Sequence, residues 1–146
     1  MALHIIKLCV GVSAIEDLAA WQRERIREQK ARGEKPRLFH ATLQTPKRQK
    51  ELLDGGSLYW VIKGTIQVRQ KLVGFEEGQK EDGSPCCRML LDAKLVPVRP
   101  APRRAFQGWR YLSDDDAPED LGSGGSDDLA ALPPDMRRAL LDLGLI

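Results

Sequence analysis

Residues 55–75 read GGSLYWVIKGTIQVRQKLVGF, and the reading of this stretch decides the fold. Gly55-Gly56 makes a turn. Tyr59-Trp60-Val61-Ile62 then puts apolar side chains on both faces of a strand, because successive strand residues point to opposite sides. Such a strand belongs in the middle of a sheet. Lys63-Gly64 turns the chain into a second strand. There Ile66, Val68 and Leu72 are expected on one face, and Thr65, Gln67, Arg69 and Lys71 on the other. Lys63 thus reaches the rim of the core beside a cationic strand face, which suits an anion site. A lysine that simply extends to water is the alternative.

Upstream of this hairpin, residues 3–12 read as a strand. Ser13-Ala14-Ile15-Glu16 fits a capping box that opens a helix. Ile15, Leu18, Ala19, Trp21 and Ile26 form its apolar stripe, with Trp21 expected in the core, and Gly33 suits its C-terminal cap. Residues 37–43 are a short strand. Thr45-Pro46 reads as N-cap and first helical residue of a second helix ending near Leu53. Downstream, residues 86–98 alternate, with Cys87, Met89, Leu91, Ala93 and Leu95 on one face, and pair with residues 65–75 as a hairpin. The stretch PVRPAP, residues 97–102, breaks regular structure and is expected to be extended. Residues 103–112 hold a possible short strand, residues 113–128 an acidic flexible loop, and residues 133–146 a C-terminal docking helix. The predicted fold is α+β. A small curved mixed sheet or β-barrel of five or six strands carries about three flanking helices in a single domain over residues 1–146.

Composition narrows the function classes. No apolar run is long enough to span a bilayer. Three cysteines and two histidines, His4 and His40, give neither a disulfide framework nor a zinc motif, so a cytoplasmic protein without metal or cofactor is expected. The net charge of +2 hides an asymmetry. Residues 1–111 carry 21 Lys/Arg and 12 Asp/Glu, whereas residues 112–146 carry 2 and 9. A basic body with an acidic tail points to a polyanion partner or to a tail that folds back on the body.

Three constellations can bind anions. At Thr45-Pro46-Lys47-Arg48 two cations are expected in the first turn of a helix, where the macrodipole favours anions, so a phosphate or carboxylate would resolve the conflict. Lys63 and Arg69 are expected to converge with Arg48. Third, Arg103-Arg104-Ala105-Phe106-Gln107-Gly108-Trp109-Arg110-Tyr111 interleaves arginines with aromatics, a pattern that stacks bases and contacts phosphates. The same aromatics can instead close one end of the core. No phosphate loop, HExxH, GxSxG or CxxC occurs, and no catalytic residue is assigned.

His4-Ile5-Ile6-Lys7-Leu8, the stretch from Gly55 to Gly64, Phe106-Gln107-Gly108-Trp109-Arg110-Tyr111-Leu112 and Leu132-Pro133-Pro134-Asp135-Met136 together resemble a family of small bacterial proteins known only as a domain of unknown function. The pattern of a helix and glycine turn before a WVIKG-like strand is also distantly similar to the PUA-like superfamily, including ASCH and EVE domains. That likeness implies a curved barrel and an RNA or modified-base ligand. The expected function is therefore a non-enzymatic RNA- or nucleotide-binding module, its partner being RNA or a phosphorylated small molecule. One alternative is a small enzyme with His40 as acid–base and Lys63 and Arg69 as clamp. The other is a protein-interaction adaptor using the arginine–aromatic segment.

Overall fold

The computed structural model describes residues 2–9, 11–104, 106–121 and 138. The chain runs β1 (Leu3–Leu8), α1 (Ile15–Ala31), β2 (Leu38–Thr42), α2 (Gln49–Leu53), β3 (Ser57–Ile62), β4 (Thr65–Gln79), β5 (Pro85–Leu91), β6 (Val96–Pro102) and β7 (Trp109–Ser113). The seven strands form one sheet of order β2-β5-β4-β3-β1-β7, with β6 added to β4. Among the described residues its path ends at β2 and β7, so the sheet is open. This corrects the barrel and the count of five or six strands. Among the described residues there are two helices. The loop segment 122–128 and, but for residue 138, the predicted docking helix at 133–146 lie outside the described residues.

β3 is central and buried on both faces, as the apolar run requires. Leu58, Trp60 and Ile62 enter a core beneath α1 and α2 with Ile5, Leu18, Leu52 and Met89. Tyr59 and Val61 enter a second core on the opposite face with Ile6, Ile66, Val98 and Leu112. β1 lies parallel to β3, and every other pairing in the sheet is antiparallel. The Lys63-Gly64 turn has both residues in the left-handed region, at φ 49° and 75°, which matches a two-residue hairpin to the twist of its strands.

Four local expectations change. Ile66 and Val68 do not share a face. Trp60 pairs with Val68 and Val61 with Ile66, so Gln67 is an extra residue. A bulge of this kind resets the alternation, and Gln67 donates its side-chain N–H to the Ile62 carbonyl at 3.0 Å. The 86–98 strand is two strands, broken where Asp92 Oδ1 accepts the Lys94 N–H at 2.9 Å. The proline-rich 97–102 segment is part of β6, which pairs with β4 and on its other side carries an isolated antiparallel bridge between Val98 and Asp120. Proline is tolerated there because Arg99 supplies the N–H on that side and Pro97 contributes only its carbonyl. Finally, α1 starts one residue later than predicted, with the Asp17 carboxylate accepting from the Ser13 and Ala14 N–H groups at 3.1 and 3.2 Å.

Trp21 is also displaced from its expected place: it is 45% exposed. At 3.6 residues per turn it lies about 120° round the helix from Ile15. Gln22 falls in the middle of the buried stripe instead, and it is buried.

The acidic segment begins in ordered contact with the body. The Arg99 N–H donates to the Glu119 carbonyl at 2.8 Å, the Leu121 N–H to the Pro97 carbonyl at 2.9 Å, and Leu121 packs in the helix-side core.

Candidate functional site

The edge strand β7 gathers most of the residues singled out in the sequence. Alternation puts Trp109 and Tyr111 on the helix side, their rings edge to face at 5.0 Å. The Trp109 indole N–H donates to the Gln44 carbonyl at 2.9 Å. The Tyr111 hydroxyl accepts from the backbone N–H groups of Lys47 and Arg48 at 3.1 and 3.3 Å. These bonds hold the Thr45–Arg48 loop against β7, and with Arg110 they frame a cleft of about 390 Å³ lined by Gln44, Thr45 and Lys47.

The same bonds delay the second helix. α2 begins at Gln49, with Arg48 as its N-cap, so Thr45 is not a cap and the two cations are not in a helical turn. Tertiary partners for two backbone donors outweigh the local Thr-Pro start signal. Arg48 is engaged by Glu51 and lies 5.5 Å over the Tyr111 ring.

On the other side of β7, Arg110 lies 5.1 Å over Phe106. Arg103, Arg104 and Arg110 line a second cleft of about 580 Å³, with Asp116 at its margin. The Arg103 N–H donates to the Gly64 carbonyl at 2.8 Å, which draws the Lys63 turn toward this cleft. Among the described residues, Lys47, Lys63, Arg103, Arg104 and Arg110 make no ion pair with a carboxylate. Of the cations singled out in the sequence, these five remain available to an anion.

Arg69 is placed differently. It forms a two-pronged pair with Asp120, both bonds 2.7 Å, and donates to Ser57 Oγ at 2.9 Å. Asp120 holds its pKa above the usual value. The surrounding recess carries Asp114, Asp115, Glu119 and Asp120, so it is acidic rather than anion-binding. The nearby Ser57, His4 and Asp114 do not make a nucleophile. His4 Nδ1 accepts the Ser57 backbone N–H at 3.0 Å, and Nε2 donates to Asp114 at 2.8 Å. The Ser57 hydroxyl is left with Arg69 rather than a base.

His40 lines a half-open cavity of about 670 Å³ with Lys7, Cys9, Trp21 and Trp60. Neither Lys63 nor Arg69 reaches it, so the clamp of the enzyme alternative is not assembled there. The His40 ring meets Trp60 edge to face at 5.1 Å. Burial, then the charges of Lys7 and Arg25, lower its pKa to about 4. Folding therefore favours the neutral ring. Between pH 6.5 and 4 the unfolded chain binds the extra proton, so stability is full above pH 6.5 and falls as the pH drops through that window. At about 1.4 kcal/mol per pH unit, discounted for the ring's partial exposure, the loss is on the order of 2 kcal/mol. Urea denaturation of the parent and His40→Phe across this range should show a shallower slope for the variant. Equal slopes would sink the assignment.

The sequence leaves Lys7 without a site role and does not set Tyr111 apart within the arginine–aromatic segment. A lysine inside the apolar strand HIIKL was the available signal for Lys7. Nothing local distinguishes Tyr111 from its aromatic neighbours, because its partners are 63 and 64 residues away.

Among the described residues, no helix is long and apolar enough to cross a membrane, and no three of His, Cys, Asp and Glu cluster to hold a metal ion. No curated protein and no solved structure matches the chain. A family model described as protein of unknown function (DUF1489) matches residues 5–146, and the chain belongs to that family.

Proposed function

We propose that the chain is a non-enzymatic module that binds RNA or a nucleotide across the edge strand β7. The observation that carries this reading is the pairing, on one narrow strand, of aromatic rings with cations that have no carboxylate partner among the described residues. Tyr111 is 37% exposed and Trp109 half-buried, and Lys47, Arg103, Arg104 and Arg110 surround them on both sides. Every base offers a flat face to stack, and the backbone offers phosphates at regular spacing, so this combination suits a single strand. The hydrogen bonds that pin Trp109 and Tyr111 hold the rings in place before a ligand arrives, which reduces the ordering cost of binding. Asp116, beside the three arginines, supports the idea that the acidic segment competes with a polyanion. The three free thiols, Cys9, Cys86 and Cys87, accord with a cytoplasmic setting.

Fluorescence anisotropy with a labelled oligouridylate tests the reading. The parent should bind at low salt and weaken steeply as salt rises. The triple variant Arg103→Glu, Arg104→Glu, Arg110→Glu should bind about thirty-fold more weakly, with a log–log salt slope smaller by about 2. No binding at low salt, or equal affinity for parent and variant, would refute it.

A further inference from the structure

Lys7 occupies an unusual position. In β1 its register partners are Trp60 of β3 on one side and Trp109 of β7 on the other. A lysine therefore stands between two tryptophans on the helix-covered face of the sheet, half-buried. The cavity of about 670 Å³ opens there, walled by Trp60, His40 and the exposed Trp21. Its volume lies in the range of small-ligand pockets, roughly 300–1,000 Å³. The Arg25 guanidinium stacks 4.8 Å over Trp21.

The charges of this cavity are kept apart. His40 is neutral at pH 7, and burial pushes the Cys9 thiol up to about 11, so it too is uncharged. Asp17 is a lining residue that keeps its negative charge, with its carboxylate held by the Ser13 and Ala14 N–H groups at the start of α1. Lys7 within the cavity and Arg25 nearby have no ion-pair partner among the described residues. Burial lowers the Lys7 pKa, the mark of an ammonium short of solvent. A wholly apolar ligand would cover that ammonium and leave it unpaired, which is costly. A small inorganic anion would leave the aromatic walls wet. A flat ring that carries an acid group meets both demands.

We infer that this cavity is a binding site for a small planar aromatic anion, with the ring against Trp21, Trp60 and His40 and the acid group on Lys7. Neutral His40 can donate one hydrogen bond and accept another, which gives the pocket a means to select among heterocycles. The inference does not depend on RNA binding at β7, since none of Arg103, Arg104 and Arg110 lines the cavity.

Two sources share this chemistry, an aromatic carboxylate and a nucleoside monophosphate. NMR titration of the full chain, followed at the indole N–H signals of Trp21 and Trp60, uses quinoline-2-carboxylate and AMP as probes. Quinoline and acetate serve as the ring and the anion alone. At least one of the two anionic ring probes should bind saturably below about 1 mM, and quinoline and acetate at least about ten-fold more weakly. Preference between quinoline-2-carboxylate and AMP identifies the source. Lys7→Met should reduce the anionic probe to the affinity of quinoline, and Lys7→Arg should restore binding. Trp21→Ala, at an exposed position, should weaken both ring probes. The triple arginine variant should bind as the parent does, which separates this site from β7. Saturation by neither anionic ring probe, equal affinity for quinoline and its carboxylate, or unchanged binding by Trp21→Ala would each overturn the inference. A Lys7→Met chain that unfolds leaves the decision to Trp21→Ala and the probe comparison.

Discussion

Gly56→Ala should be among the most damaging single-methyl additions in this chain, lowering stability by about 4 kcal/mol or preventing folding. Gly56 joins α2 to β3. Its N–H donates to the Leu52 carbonyl at 2.9 Å, and its carbonyl accepts the Leu72 N–H at 3.0 Å, so it is bonded into helix and sheet together. A Cβ there would meet the Leu3 carbonyl oxygen at 2.2 Å and the Leu52 carbonyl oxygen at 2.3 Å. Both are backbone atoms of neighbouring elements, and no rotamer change relieves the clash. Either β1 moves away from α2 or the last turn of α2 opens. Gly83→Ala supplies the comparison. Gly83 has φ +85° but nothing within 4 Å of an added methyl, so only the cost of a left-handed backbone applies, roughly 1–2 kcal/mol. Urea denaturation of both variants distinguishes contact from conformation. A loss at Gly56 no greater than that at Gly83 would contradict the close approach.

Gln70→Leu should cost about 3 kcal/mol despite nearly conserving volume and raising hydrophobicity. Gln70 is fully buried on β4 between Val68 and Leu72. Its Oε1 accepts from Gln22 at 2.7 Å and from the Trp60 indole N–H at 2.9 Å. Its Nε2 donates to Gln22 Oε1 and to the Asp92 carbonyl, both at 3.0 Å. One amide thus satisfies α1, β3 and the break after β5. Leucine orphans each of those partners in a place water does not reach, and the cost of unmade bonds exceeds the gain from an apolar side chain. Adding Gln22→Leu removes one of the orphaned groups and should recover about 1 kcal/mol, while the Trp60 N–H and the Asp92 carbonyl remain unpaired. Thermal or urea melts of the single and double variants measure this. A single variant within about 0.5 kcal/mol of the parent would show that the network contributes nothing.

Gln70 also shows where reading the chain stops. It sits in a strand whose other even-numbered members, Val68 and Leu72, announce a buried face, yet a glutamine there gives no sign of whether it is buried or exposed. Its three partners lie 10, 22 and 48 residues away. Gln22 is the same case on α1. The periodic stripe is legible in the sequence, and membership of that stripe is what places Trp21 in the expected core. Helical geometry and a buried amide partner across the core gave that position to Gln22.

At the candidate site the residue types were legible and their grouping was not. The arginine–aromatic run at 103–111 and the cations at 47 and 48 each stood out locally. That they meet across β7 depends on the Tyr111 hydroxyl, whose choice of partners is a tertiary fact. Arg69 looked like its fellow cations until Asp120, 51 residues on, took both of its prongs. Lys7 acquires its meaning only when β3 and β7 bring Trp60 and Trp109 to either side of it.

By itself, then, the sequence determined the α+β class, the doubly buried β3, the strand that follows it after Lys63-Gly64, and the existence and approximate limits of α1. Each follows from periodicity or from backbone sterics acting within a few residues. Tertiary structure alone decided that the sheet stays open with β7 as its edge, that a bulge at Gln67 sends Ile66 to the second core, and that Pro97–Pro102 can serve as a strand. It also decided which cations are left without a carboxylate partner among the described residues. These outcomes turn on which distant groups find each other, and a hydrogen bond or ion pair between elements outweighs the few tenths of a kcal/mol by which one local conformation is preferred to another.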